Sequence, residues 1–416
     1  MKKLIIIFLL IMLSISTINI QVHAKNSAPE VSADSAVLID AATGTILYSK
    51  NMNTPYPPAS TTKVMTVLLT LENTKLDDVV TVSKKVPFVD GSKIGIAEGE
   101  ELKVKDLLYG LILMSGNDCA EALAEHIGGS IEGFAVMMNA KAKEIGCENT
   151  NFVNPSGLYD KNHKTSAKDL ALIMREAAKH PEYIEVASTF AYKIPSTNKH
   201  PEGIHLGNEN KLLNKNSSYY YQPAEAGKTG YTVQSLHSYV ACATINGQRL
   251  IVALIHDKNK TFYQDSKKLF EYGFNNFDLI ELYKKGDTVD IFTEEDLTVP
   301  LTAAEDYYYV KEKGSLEVPK TSLIETSLKD KSFKKGDKIM EASTTLKDEK
   351  LPSLQLESSI DHEIKSVFNS SIAAPSDKSK VNIYLLTSFV ILSVLIFLVS
   401  YIKAKKRRFK FKSKYK

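Results

Sequence analysis

Val381–Ile402 runs for 22 residues without a charged side chain. That is long enough to cross a bilayer, which takes about 20. Lys403–Lys416 follows with nine Lys/Arg and no acid, and the positive-inside rule puts such a tail in the cytoplasm. At the other end, Met1-Lys2-Lys3 precedes an apolar run that begins at Leu4, and Val22-His23-Ala24 offers small residues for cleavage. Residues 1–24 therefore read as a secretory signal peptide. A signal followed by a stop-transfer segment predicts a single-pass protein of the cell membrane. Residues 381–402 would be the transmembrane helix, residues 403–416 a basic cytoplasmic tail, and everything between them extracytoplasmic.

This topology changes what the charge means. Without the nine tail cations and Lys2 and Lys3, the net charge of +3 becomes −8 for the exported body. The basic tail is a topology signal and a contact for anionic lipid, and no nucleic-acid partner is expected. The three cysteines, Cys119, Cys147 and Cys242, form no CxxC pair. The chain is thus neither a zinc ribbon nor a dense disulfide scaffold; one bridge and three free thiols both remain open. His200 and His205 lack zinc-site spacing, and HExxH is absent.

Between the ends, residues 29–276 mix strand and helix patterns. Ser35–Lys50 reads as a hairpin around Thr43-Gly44. Val104–Met114, Asp118–Gly129 and Ser166–His180 read as helices, with Asp118 and Glu121 resembling a capping box. His237–Ile245 and Gln248–Ile255 flank Asn246-Gly247, which suits a type I′ turn, and Ser266–Phe274 reads as a last helix. The expected fold is α/β (α+β), one antiparallel sheet flanked by helices. Residues 281–350 read as a small all-β domain and residues 351–380 as a polar linker. The stretch Lys-Lys-Gly-Asp occurs at Lys284–Asp287 and at Lys334–Asp337, too short to establish a repeat. Tyr307–Tyr309 fits strand packing better than a glycan platform.

Three short stretches carry chemistry. Ser60 and Lys63 stand at i and i+3, on one helical face, followed by the apolar run Val64, Met65, Val67, Leu68, Leu69. A serine at a helix start lies among unpaired backbone N–H groups. A lysine one turn deeper loses hydration, which favours its neutral form, and a neutral amine can take the serine's proton. Alone, the pair also fits a capping Ser60 with Lys63 in solvent. Ser115-Gly116-Asn117 offers a hydroxyl and a carboxamide between two helices, where an ordinary connection is the simpler reading. In Ala226–Thr232, glycines bracket Lys228 and Thr229 on a strand edge where a peptide could pair.

Together, in the order S-x-x-K, S-x-N, K-T-G, these stretches resemble the motif set of penicillin-binding proteins and serine β-lactamases. The chain is most similar to the low-molecular-mass D-alanyl-D-alanine carboxypeptidases, from about Ala33 to Phe274. Asn151–Asp160, His163–Ala177 and Lys267–Phe277 add to the likeness. The resemblance implies a sheet between helical layers with an all-helical lobe, a second β-rich domain and C-terminal membrane attachment. It implies that Ser60 attacks a stem peptide of peptidoglycan ending in D-Ala-D-Ala, with Lys63 as base. Ser115 and Asn117 would relay the proton and hold substrate. Lys228, Thr229, Gly230 and Tyr231 would bind its carboxylate end, and the N–H groups of Ser60 and Tyr231 would form the oxyanion hole. β-Lactam antibiotics would be covalent inhibitors, and no metal or other cofactor is implied. Two departures stand out. Cys119 replaces a common alanine, and Lys258–Ser266 holds no arginine where many relatives have one near the substrate carboxylate. Arg249, one of two arginines in the exported body with Arg175, reads as peripheral. A β-lactamase on this fold would need a dedicated carboxylate to activate water, which the sequence does not show.

Overall fold

The computed structural model describes residues 27–364, 387–399 and 401. The signal segment 1–24 and the tail 403–416 lie outside the described residues, as does part of the proposed span. Within that span, 387–399 is helical and exposes Phe389, Ile391, Leu392 and Phe397. Among the described residues no helix is long and apolar enough to cross a membrane.

Contacts divide the chain into two units: Met1–Asp287, Ala303–Ile324 and Glu341–Gln355 in one, Thr288–Thr302, Glu325–Met340 and Leu356–Lys416 in the other. The first begins with β1 (Ser35–Asp40) and β2 (Ile46–Lys50), then α1 (Lys63–Asn73), and a short pair β3 (Val79–Thr81) and β4 (Glu101–Lys103). Helices α2 (Val104–Leu113), α3 (Asn117–Gly128), α4 (Ile131–Ile145), α5 (Ala167–Ala177) and α6 (Pro181–Ser188) follow. After the hairpin β5 (Ala191–Ile194) and β6 (Ile204–Gly207) come β7 (Ala224–Thr232), β8 (Leu236–Ile245), β9 (Gln248–Asp257) and α7 (Phe262–Asn276). The main sheet is antiparallel in the order β2-β1-β9-β8-β7, which leaves β7 at an edge.

Both faces of this sheet are covered, so its strands read as continuous apolar runs, and the period of two divides them between two cores. Val37, Ile39, Val240, Cys242, Ile251 and Ala253 face the helices α1–α6, meeting Val64, Leu68, Leu107, Leu123, Phe134 and Leu170. Ala36, Leu38, Ala241, Leu250, Val252 and Leu254 face α7, meeting Leu269, Phe270 and Phe274. Each large side chain buried in this way contributes about 1.5–3 kcal/mol. Two helices are capped by serines: Ser130 Oγ accepts the Gly133 N–H at 2.9 Å and Ser166 Oγ the Asp169 N–H at 3.1 Å. Asn246 and Gly247 both adopt positive φ, as the expected turn requires.

Several expectations are corrected. Asp118 is not the cap of α3, which starts from Gly116 without a side-chain cap. Its carboxylate instead accepts the N–H groups of Ile94 (3.0 Å), Gly95 (2.8 Å) and Cys119 (2.9 Å). The helices α4 and α6 were not anticipated. Pro181 sits at the start of α6, where its missing N–H costs nothing. All three cysteines are free thiols. A strand Phe277–Tyr283 starts directly after α7 and pairs with Tyr307–Glu312. In that second strand Tyr307 and Tyr309 are buried. The stretch assigned to a linker contains the strand Leu354–Ser358, with Leu354, Leu356 and Ser358 buried; polar neighbours hid its alternation.

The two Lys-Lys-Gly-Asp stretches fold alike. Asp287 Oδ2 accepts the Lys284 N–H at 2.8 Å, and Asp337 Oδ2 accepts the Lys334 N–H at 2.8 Å. The next N–H donates at 2.8 Å to a remote aspartate in both, Lys285 to Asp306 and Lys335 to Asp361. The glycine N–H donates at 2.8 Å to a strand carbonyl in both, Ala303 and Ser358. The same turn is therefore built twice.

Phe270 is fully buried between α7 and the sheet. Phe270→Ala should lower stability by about 3–5 kcal/mol, read from the shift of a urea unfolding midpoint.

Candidate active site

Ala59–Thr62 forms a 3-10 turn, and α1 begins at Lys63. Ser60 thus sits in the tight turn ahead of the α-helix, not in its first turn as the sequence suggests. Ala59 is held at φ +51°, a left-handed conformation costing about 1–2 kcal/mol for a residue with a Cβ.

Lys63 is 0 % exposed. Its Nζ is within hydrogen-bond distance of Ser60 Oγ (2.9 Å), Asn117 Oδ1 (2.7 Å) and the Ser156 carbonyl (2.7 Å). Burial first, and the charge of Lys228 second, hold its pKa well below the ordinary lysine value; Asp118 pulls the other way. The neighbouring Cys119 thiol is raised well above its usual range by burial, so it adds no charge near neutrality. A neutral amine retains two N–H groups and a lone pair. The Ser156 carbonyl can only accept. Asn117 Nδ2 donates to the Asp90 carbonyl at 2.6 Å, which turns the amide oxygen to Lys63. The lone pair is left facing Ser60, the one partner with a proton to give.

Ser115 follows the end of α2 at φ +57°. On the edge strand β7, Lys228 is 3 % exposed and donates to the Thr229 carbonyl at 2.9 Å. Burial pushes its ammonium down to about 8, opposed by Glu209. Gly230 packs directly on the nucleophile turn: a Cβ there would lie 2.8 Å from Pro58 O and 2.9 Å from Ser60 N. Only glycine permits that approach.

Ser60, Ser115, Thr229, Gly230 and Tyr231 line one cleft of about 580 Å³. The eight residues singled out from the sequence thus divide by place. Five line the cleft; Lys63 and Asn117 lie behind Ser60 in direct contact with each other, and Lys228 is buried in β7. Asn117 is occupied by Lys63 and Asp90 and does not line the cleft. Other groups of the site went unread. The cleft is also lined by Ser92, Glu209, Lys211, His237, Lys260, Phe262 and Tyr263, so a lysine of the arginine-free stretch does reach it. Arg249 lies elsewhere, on Glu225 at 2.7 Å. The Ser156 carbonyl could have been suspected from Asn154-Pro155 and Ser156-Gly157, both turn-forming pairs, though no pattern assigns a backbone oxygen to a lysine. Among the described residues no group of three or more His, Cys, Asp or Glu is placed to hold a metal.

Residues 22–259 match the family model described as D-alanyl-D-alanine carboxypeptidase, and residues 277–363 the model described as penicillin-binding protein 5, C-terminal domain. The D-alanyl-D-alanine carboxypeptidase DacF of Bacillus subtilis is 35% identical over 292 residues, covering 68% of this chain and 73% of the relative. Among solved structures, penicillin binding protein 5 from Haemophilus influenzae is 30% identical with TM-score 0.68, covering 80% of this chain and 98% of that one. A mutant of the Streptomyces K15 DD-transpeptidase is 30% identical with TM-score 0.55, covering 59% of this chain and 99% of that one. A serine and a dry lysine behind a sheet-edge cleft are thus found in a chain that belongs to the D-alanyl-D-alanine carboxypeptidase family, serine-type peptidases that bind penicillin.

Proposed function

We propose that this enzyme removes the terminal D-alanine of peptidoglycan stem peptides through an acyl-enzyme on Ser60, and that it works outside the cytoplasm on a membrane anchor. The observation that carries the chemistry is the Lys63 amine, fully buried and within hydrogen-bond distance of Ser60 Oγ, Asn117 Oδ1 and the Ser156 carbonyl. Lys63 takes the Ser60 proton as Oγ bonds to the carbonyl carbon of the D-Ala-D-Ala peptide. The oxyanion forms between the backbone N–H groups of Ser60 and Tyr231, an arrangement supported by the close approach of Gly230 to Ser60 N. As the C–N bond breaks, the departing D-alanine amine receives a proton from the Lys63 ammonium, with Ser115 as a hydroxyl relay. Water then attacks the ester, gives a proton back through Lys63, and releases the shortened peptide. The charge of Lys228 and the hydroxyl of Thr229 serve the substrate carboxylate. Asn117 acts on Lys63, as its two hydrogen bonds suggest. A β-lactam acylates Ser60 by the same attack, opening its ring. The uncharged run 381–402 and the exposed apolar side chains of helix 387–399 support the anchor.

A fluorescent penicillin tests the nucleophile: wild type should label and Ser60→Ala should not, and an unlabelled wild type overturns the reading. D-alanine released from a soluble pentapeptide, assayed with and without an acceptor amine, separates hydrolysis from transpeptidation. Lys63→Arg cannot supply a neutral base and should slow acylation by roughly 10²–10⁴-fold while circular dichroism stays that of wild type. Gly230→Ala presses a methyl on Ser60 N and should slow acylation by roughly 10²–10³-fold, the cost of losing one oxyanion donor.

The pH profile follows from two lysines of opposite use. Lys63 works when deprotonated, so acylation rises with pH through its lowered pKa. Lys228 works when protonated, so KM should rise above pH about 8. Lys228→Arg keeps its charge in that range and should move the alkaline rise in KM upward.

A further inference from the structure

We infer that His163 is a positioning residue for the Ser60–Lys63 pair, acting through Thr62. The inference rests on the proposed roles of Ser60 and Lys63. His163 is 1 % exposed and stands outside the cleft lining. Its Nδ1 accepts the Val153 N–H at 3.0 Å, which leaves the ring proton on Nε2. From there it donates to Thr62 Oγ1 at 2.8 Å. Thr62, 1 % exposed, is the last residue of the Ser60 turn. Burial is the largest influence on the ring and Lys63 acts in the same direction; Asp160 opposes them, and the imidazole is lowered to about 4. The neutral tautomer that makes both bonds is therefore the form present near neutrality.

What the ring joins is the nucleophile turn and the loop from Val153 to Leu158. That loop carries the Ser156 carbonyl that holds Lys63 at 2.7 Å. It is folded on itself by Asn154, whose Oδ1 accepts the Gly157 N–H at 2.8 Å and whose Nδ2 donates to the Leu158 carbonyl at 2.9 Å. It meets α1 where Thr66 Oγ1 donates to the Pro155 carbonyl at 2.6 Å. It lies so near the turn that a Cβ at Gly157 would come 1.8 Å from Ala59 O. His163 is bonded to both sides of this junction at once. Removing it frees the Ser156 carbonyl to drift from Lys63, and the amine then has a second direction open for its lone pair. The cleft walls at Thr229 and Tyr231 are untouched. The loss therefore falls on acylation and not on binding.

The test measures acylation of the full-length protein by a fluorescent penicillin, resolving the rate at saturation from the concentration for half-saturation. Thr62→Val, nearly equal in volume, removes the hydroxyl. His163→Leu removes both bonds; His163→Gln keeps a donor toward Thr62. Thr62→Val and His163→Leu should each slow the saturated rate by roughly 10–100-fold, the size expected of a small misplacement, with half-saturation unchanged. His163→Gln should recover part of the rate. The double variant should be no slower than the slower single, because both remove one contact. A Thr62→Val protein that acylates at the wild-type rate overturns the inference, as do losses that multiply in the double variant or appear only in half-saturation. If His163→Leu does not fold, Thr62→Val decides alone. Wild type that labels at Ser60 beside an unimpaired Thr62→Val removes only the role of His163. Wild type that does not label at Ser60 removes the nucleophile itself.

Discussion

The site depends on a lysine side chain kept away from water. Burying an ammonium without full compensation costs several kcal/mol, and a protein can avoid that cost by letting the group lose its proton. Here the dryness comes from the core itself: Lys63 through Thr70 are all buried, and the neighbours of α1 in the packing are helices and a sheet covered on both faces. The three partners around Nζ add direction to that neutrality. Two of them are held from elsewhere, Asn117 by the Asp90 carbonyl and Ser156 by the Asn154 turn. Lys228, buried nearly as deeply, differs because it sits by Glu209 on a strand edge and stays near 8. One residue type is thus placed for proposed use as a base in one place and as a cation in another.

A second buried ionisable side chain holds the segment from Ile94 to Ile96. Asp118 is 0 % exposed, and its carboxylate satisfies the backbone N–H groups of Ile94, Gly95 and Ile96. Ser92, two residues before them, receives the Asn117 N–H at 2.7 Å and lines the cleft. The consecutive residues Asn117 and Asp118 therefore fix Lys63 on one side and a wall of the cleft on the other. Cys119, next in line, is fully buried beside Gly110 and Gly116, where a small side chain is all that fits.

How much of this could be read in the sequence depends on where the information is stored. The alternating or continuous apolar runs and the Asn246-Gly247 turn were legible because local period and turn chemistry determine them. The three motifs were legible as residue types at set spacings. Their surroundings were not. The Ser156 carbonyl is a backbone atom 93 residues from Lys63, and His163 is 101 residues from Thr62; neither pairing leaves a trace in local pattern. Asp118 looked like a cap because it precedes a helix, yet its loop partners lie 22 to 24 residues upstream. The strand Leu354–Ser358 was obscured because only alternate residues are apolar and its neighbours are polar. Contacts set by tertiary packing were missed, and most elements set by local preference were found, the helices α4 and α6 excepted.

The edge strand β7 leaves one side of the sheet without a strand partner, and that is where Thr229, Gly230 and Tyr231 meet the cleft. A peptide lying there extends the sheet by a strand for as long as it stays. Occupancy should therefore be visible in hydrogen exchange, since amides of β7 that face solvent in the empty enzyme become shielded. A ligand that pairs along the edge and one that only esterifies Ser60 would leave different exchange footprints. The backbone of a single strand can thus distinguish how a cleft is filled from whether its serine has reacted.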